Sequence, residues 1–207
     1  DVRNLTQIGD ELLFLKFVSV TAARTGQLVN YADIARTTGI SEGTAKKWLS
    51  VLVSSGLVYL LQPYSSNVEK RVIKTPKLYF MDTGLAAYLT KWHNSEVLMN
   101  GAMAGAYFET FVITEILKGF YNNGIEPPVY FYRDKDKIEI DLLIEDNGIL
   151  YPVEIKMTSS PSKKDAASFS ILQRTHSVKI APGIIVCTGS SLRSTAPDVL
   201  AVPVEYV

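Results

Sequence analysis

Residues 139–156 read EIDLLIEDNGILYPVEIK, and the Asp-Asn-Gly at the centre of this stretch constrains the chain more than any other segment. Asn-Gly between two alternating runs is the strongest short-range signal for a tight hairpin, because both turn residues must take positive φ. Two antiparallel strands are therefore expected, with Asp141 on the first and Glu154 and Lys156 on the second. A side-chain period of two sets Ile138, Ile140, Leu142 and Ile144 on one face of the first strand, and Glu139, Asp141, Leu143 and Glu145 on the other. On the second strand Val153 and Ile155 oppose Glu154 and Lys156. Two readings of the polar faces stay open at this point. They are either a solvated outer surface with simple charge pairs, or a buried polar site.

Glu109 favours the second reading. In the helix-like run YFETFVITEIL its neighbours one and two turns away are Gly105, Val112, Ile113 and Ile116, an apolar stripe on which a lone carboxylate is costly. Either Glu109 reaches back to solvent, or it joins a polar site with a lysine such as Lys156 or a metal ion as its partner. Two acids and a lysine on paired strands are what metal-dependent cleavage of a phosphodiester needs. Mg²⁺ takes hard carboxylate oxygens, and a lysine can orient water and offset phosphate charge.

Bulk composition narrows the alternatives. Of 207 residues 47% are hydrophobic, enough for one large core or two small ones, and 21 basic residues balance 21 acidic ones. No global field demands a polyanionic partner, but the charge is uneven. Residues 28–80 hold seven basic and three acidic side chains, whereas residues 101–207 hold ten basic and thirteen acidic ones. One cysteine and two histidines exclude an internal disulfide and argue against zinc held by thiolates or imidazoles. No apolar run approaches the roughly 20 residues that span a bilayer, and no signal peptide opens the chain. A soluble cytoplasmic protein is the expectation, and the start at Asp1 suggests the C-terminal piece of a longer one.

Along the chain, Leu13, Phe14, Phe17 and Val20 give a helix over residues 10–25, and Leu12, Leu15 and Val18 predict burial on more than one side. A second helix is capped by Asn30 and closed by Gly39. A third starts at Ser41, with Ala45, Trp48, Leu49, Leu52 and Val53 inward and Lys46 and Lys47 outward. Two β-segments follow, LVYLLQPY and RVIKTPKLYFMD, joined by a polar loop. Three helices followed by such a hairpin describe a winged helix-turn-helix, in which Lys46 and Lys47 on the third helix and Lys70 and Arg71 at the wing are placed to touch DNA phosphates. A protein-interaction module is the alternative. A short helix over 83–90 and a connector over 91–100 come next. A long helix over 102–118, strands over 129–133, 137–144 and 150–156, a helix over 163–174 and the strand GIIVCT then give the order αβββαβ. The expected division is a winged helix over 1–90, a connector over 91–100 and a second domain over 101–207.

Other candidates are weaker. No GxxxxGK[ST] phosphate loop is present. Cys187 reads as core, His93 and His176 as surface or packing, and Arg133, Asp134 and Lys135 as a loop charge cluster.

Glu109, the pair Ile140-Asp141 and the EIK of Glu154 to Lys156 resemble the PD-(D/E)XK nuclease-like superfamily. The wider arrangement, including AARTGQLVNYADIARTTGIS, KTPKLYFMDTGLAAYL, GAYFETFVITEILK, FYRDKDKIEIDLLIE and PVEIK, resembles the C-terminal region of unknown function that follows an AAA+-type ATPase domain in many bacterial and archaeal proteins. This resemblance implies an α+β chain, a winged helix followed by an αβββαβ restriction-endonuclease-like domain, with ATP handled only by an N-terminal ATPase domain upstream. It implies that Asp141 and Glu154 hold Mg²⁺ or Mn²⁺, that Lys156 orients water, and that Glu109 completes the site directly or through water. The superfamily's proline before the strand aspartate is absent, where this chain has Glu139 and Ile140. Three functions remain open: a metal-dependent nuclease-like effector acting on DNA, a non-catalytic module that regulates the ATPase, and a dimeric transcription regulator.

Overall fold

The structure is a computed structural model that describes residues 11–64, 75–175 and 178–207. It is an α+β chain of two compact units that interleave in sequence. Among the described residues, one comprises residues 11–60 and 76–110, and the other residues 61–64, 75, 111–175 and 178–207.

The first unit opens with three helices, α1 (Glu11–Ala22), α2 (Tyr31–Thr38) and α3 (Glu42–Ser54). The local signals act as their chemistry dictates. The Asn30 side chain accepts the Asp33 N–H at the start of α2, the Ser41 side chain accepts the Thr44 N–H at the start of α3, and Gly39 ends α2 with φ 91°. Such an angle is strained for any residue with a Cβ, so a glycine there lets the chain reverse between the two helices. Phe17, Ile34, Trp48, Leu49 and Leu52 form the core, with the Trp48 ring edge-on to Phe14 and Phe17 at 5.3 and 5.4 Å. Of the three residues that predict burial of α1 on more than one side, Val18 is buried, whereas Leu12 and Leu15 are 79% and 59% exposed. Val53, expected inward, is also exposed.

Strands β1 (Gln27–Leu28), β2 (Val58–Leu61) and β3 (Lys77–Phe80) form a sheet in the order β1-β3-β2. The expected β-segments are thus present on either side of residues 65–74, which lie outside the described residues together with Lys70 and Arg71. Helices α4 (Thr83–Leu89) and α5 (Ser95–Met99) follow, the second within the stretch expected to be a connector. The long helix α6 (Ala104–Asn122) begins in the first unit and continues in the second.

The second unit is built on a mixed sheet. Its strands are β4 (Val129–Arg133), β5 (Glu139–Asp146), β6 (Ile149–Lys156), β7 (Lys179–Ile180), β8 (Gly183–Cys187), β9 (Arg193–Ala196) and β10 (Val199–Pro203). The order is β4-β5-β6-β8-β10-β9, with β7 also paired to β6. β4, β5 and β6 are antiparallel neighbours, whereas β6, β8 and β10 run parallel. Between β6 and β8 the chain forms a 3-10 turn at Lys163–Ala166 and helix α7 (Phe169–Thr175). Phe169, Leu172 and Ala166 pack with Leu143, Leu150 and Ile185 on one face of the sheet. On the other face Phe120 of α6 lines an apolar cavity of about 490 Å³ with Ile144, Val153 and Ile184. Residues 62–64 run beside β4, where the Phe131 N–H donates to Gln62 O at 3.0 Å and the Tyr64 N–H to Phe131 O at 2.7 Å. The Phe131 N–H and carbonyl on the outer side of β4 are thereby satisfied.

Candidate functional site

The hairpin closes as its sequence demands. Asn147 and Gly148 are the two turn residues, with φ 50° and 73°, and β5 pairs with β6 from Asp146↔Ile149 to Leu142↔Val153. Regular pairing stops there. On the other side of β5, Tyr130 pairs with Leu143 but Tyr132 pairs with Ile140, so Asp141 and Leu142 together oppose the single residue Phe131. This β-bulge overturns the strict alternation expected from the sequence. Ile140 and Leu143, assigned to opposite faces, share one core cluster. Bulges re-aim side chains, and this one falls on the candidate acid.

Asp141 uses the freed space. Its Oδ2 accepts the Ile155 N–H at 2.9 Å, so the carboxylate replaces a main-chain acceptor where the ladder ends. Glu154 stands next to Ile155 on β6, and its Oε1 accepts from Lys156 Nζ at 2.6 Å while its Oε2 accepts from the Ser168 hydroxyl at 3.4 Å. Lys156 Nζ also lies 3.7 Å from Asp141 Oδ2. Asp141, Glu154 and Lys156 therefore converge. Asp141 is 8% and Glu154 5% exposed, which excludes the solvated outer surface as an account of these two acids.

Burial is the main reason that the Glu154 carboxyl is pushed up to about 7 from an ordinary value near 4.5. The charge of Asp141 adds to the rise, and Lys156 opposes it. Displacement of this kind, in a carboxyl facing a second acid and a lysine, is a mark of functional sites. The site opens into a pocket of about 390 Å³ lined by Glu139, Glu154, Lys156, Lys164, Asp165 and Ser168, among others. Glu139 is paired with Arg133 at 3.1 Å. Asp165 accepts the Ser162 N–H and hydroxyl at 2.7 and 2.9 Å, and the first of these bonds chiefly holds its carboxyl below the usual range. Sequence reasoning misses Lys164 and Ser168, because nothing local shows that a 3-10 turn folds over the end of β6.

Glu109 belongs to the first unit, where its Oε1 accepts from Lys77 Nζ at 2.9 Å and from the Tyr79 hydroxyl at 2.5 Å. A lysine does meet this acid, as its apolar stripe requires, and it comes from β3. Lys77 and Tyr79 are themselves buried. Among the described residues no group of three or more His, Cys, Asp or Glu side chains is placed to hold one metal ion. Lys46 and Lys47 are both exposed on α3, and Lys46 Nζ lies 5.5 Å from the Tyr31 ring centre. Cys187 is buried in β8, Tyr132 packs in the sheet core, and His93 is exposed, while His176 lies outside the described residues. Asp134 organises its own loop by accepting the N–H groups of Asp136 and Ile138, both at 2.9 Å. No helix among the described residues is long and apolar enough to cross a membrane.

Fold and site together define an α+β protein with two buried carboxylates and a lysine gathered where a β-bulge interrupts a mixed sheet. Within that class, the chain belongs to the family described as a domain of unknown function, DUF4143, which its residues 104–207 match. Residues 1–96 match a second domain of unknown function, DUF8612. The chain is 30% identical over 208 residues to an uncharacterized protein of Mycobacterium bovis, Mb2031c, and to one of Mycobacterium tuberculosis, Rv2008c. These matches cover 99% of this chain and 45% of each relative, so the chain spans less than half the length of both. No solved structure matches.

Proposed function

We propose that the second unit is a metal-dependent phosphodiesterase of the nuclease-like PD-(D/E)XK type that acts on DNA. The observation that carries this reading is the meeting of Asp141, Glu154 and Lys156 at the bulge, with both acids buried and the lysine facing a pocket. Two carboxylates suit Mg²⁺ or Mn²⁺, since such cations take one or two protein carboxylates and complete their shell with water and substrate phosphate. Asp141 and Glu154 would hold the ion. When bound, it would polarise the phosphoryl group and make water more acidic.

The chain's own groups have separable roles in this reading. The Ile155 N–H fixes the Asp141 carboxylate, and Ser168 fixes one oxygen of Glu154. Lys156 holds the other oxygen and favours the charged form of Glu154 beside Asp141. Its half-exposed ammonium can orient a water toward a phosphate in the pocket. Glu109, which the resemblance assigns to the site, is engaged in its own unit by Lys77 and Tyr79.

In the same reading the first unit is a winged helix. Support comes from the α1-α2-α3 order followed by β2 and β3, and from Lys46 and Lys47 lying exposed on α3. The chain would be the C-terminal part of a longer AAA+-type ATPase whose nucleotide site lies upstream.

A second reading, a non-catalytic module that regulates the ATPase, is favoured by Lys156 already lying against both carboxylates. Calorimetric titration with Mn²⁺ separates the two. The nuclease reading expects one Mn²⁺ site that disappears in Asp141→Asn and Glu154→Gln, together with loss of Mn²⁺-dependent DNA cleavage. A parent protein that takes up no Mn²⁺ and cuts nothing would leave the regulatory module as the answer.

A further inference from the structure

We infer that Lys164 is the phosphate-binding cation of this site, and that it grips the DNA backbone beside the scissile position. This rests on the phosphodiester reading given above, and it moves the offset of phosphate charge away from Lys156. Lys156 cannot spend its charge twice. Its ammonium lies 2.6 Å from Glu154 and 3.7 Å from Asp141, so its field is largely cancelled where it stands. Glu139 and Asp165, the other acids lining the pocket, are engaged as well: Glu139 has Arg133, and Asp165 has the Ser162 N–H and hydroxyl.

Lys164 is different. It lines the same pocket, its residue is exposed, and it makes no ion pair among the described residues. It also stands on a turn whose geometry is fixed by the capping pair of Ser162 and Asp165, with Ala166 buried in the core beneath it. An uncommitted ammonium anchored on a short turn, in the same pocket as the buried Glu154, is, among the described residues lining the pocket, the group with positive charge to give a phosphodiester. An ammonium in such a place acts as a point charge on a phosphate oxygen. Neighbouring Lys163 is exposed too but does not line the pocket, which makes it an internal control.

The test is the salt dependence of binding of a fluorescent DNA duplex to the full chain in EDTA, so that neither metal nor cleavage enters. Neutralising one phosphate changes the slope of log K against log salt by about 0.9. Lys164→Gln is expected to reduce the slope by about that amount, with Lys164→Arg restoring it and Lys163→Gln leaving it in place. Equal effects of Lys163→Gln and Lys164→Gln, or no effect of Lys164→Gln, overturn the assignment. Mn²⁺ calorimetry on the parent and Asp141→Asn reports separately on the nuclease reading. Absent metal binding with a selective Lys164 effect removes the catalysis and keeps the phosphate-binding role. Present metal binding without a Lys164 effect does the reverse.

Discussion

Glu154 is pulled two ways: burial and Asp141 favour its neutral form, Lys156 its charged form, and the first pair prevails. Its folded pKa of about 7 lies above the ordinary 4.5, so between these values the folded chain binds a proton that the unfolded chain has released. Stability of the metal-free protein is therefore expected to fall as pH rises from about 4.5 to about 7, and to level off above. Urea melts across that range should show this slope, and Glu154→Gln should flatten it. Metal uptake must run the opposite way, because the ion competes with that proton. Mn²⁺ affinity is expected to fall about tenfold per pH unit below about 7 and to plateau above it, as calorimetry at several pH values would show. Lys156→Met removes the positive charge that favours the carboxylate and should move the break in both curves upward. Sequence spacing puts Asp141, Glu154 and Lys156 on the polar faces of one hairpin, and leaves a solvated surface and a buried site equally open. It also says that Glu109 needs a partner, yet cannot name Lys77, which lies 32 residues away in the chain and is brought close only by the fold.

Helix α7 and the sheet meet through a contact that leaves no room for change. A Cβ placed on Gly183 would fall 2.3 Å from the Phe169 ring, so the glycine at the start of β8 is required by packing. Gly183→Ala is expected to cost about 1–3 kcal/mol in urea unfolding and to loosen α7, while Ser170→Ala, on an exposed part of the same helix, should have little effect. At this scale the sequence is most readable where chemistry is local. Asn30, Gly39, Ser41 and the Asn147-Gly148 turn mark element ends through their own side chains or φ angles. The short strands β7 and β9 carry too few residues to show a period, and the bulge in β5 is invisible because Ile140, Leu142 and Leu143 are apolar in any register. The alternation rule assumes one-for-one pairing, and β5 departs from it by holding two residues opposite one of β4.

Taken whole, the chain carries no net charge, so attraction to DNA depends on where its cations stand. The winged-helix reading concentrates them on α3. Lys46→Ala with Lys47→Ala should then lower the slope of log K against log salt by about 0.9 for each phosphate that the helix no longer neutralises, measured by anisotropy with duplex DNA. An unchanged slope would assign α3 to a protein partner.

The two-residue step opposite Phe131 ties the site to the length of the chain between Ile140 and Leu143. With Leu142 deleted, β5 and β4 would pair one for one, and Ile140 and Leu143 would keep their places in the core. Asp141 would then point to the opposite face of the sheet, away from Glu154. Loss of a single codon would keep the aspartate in the sequence and still remove it from the site. Among relatives, the spacing between the isoleucine and the leucine that flank this acid is therefore a better guide to retained chemistry than the acid itself.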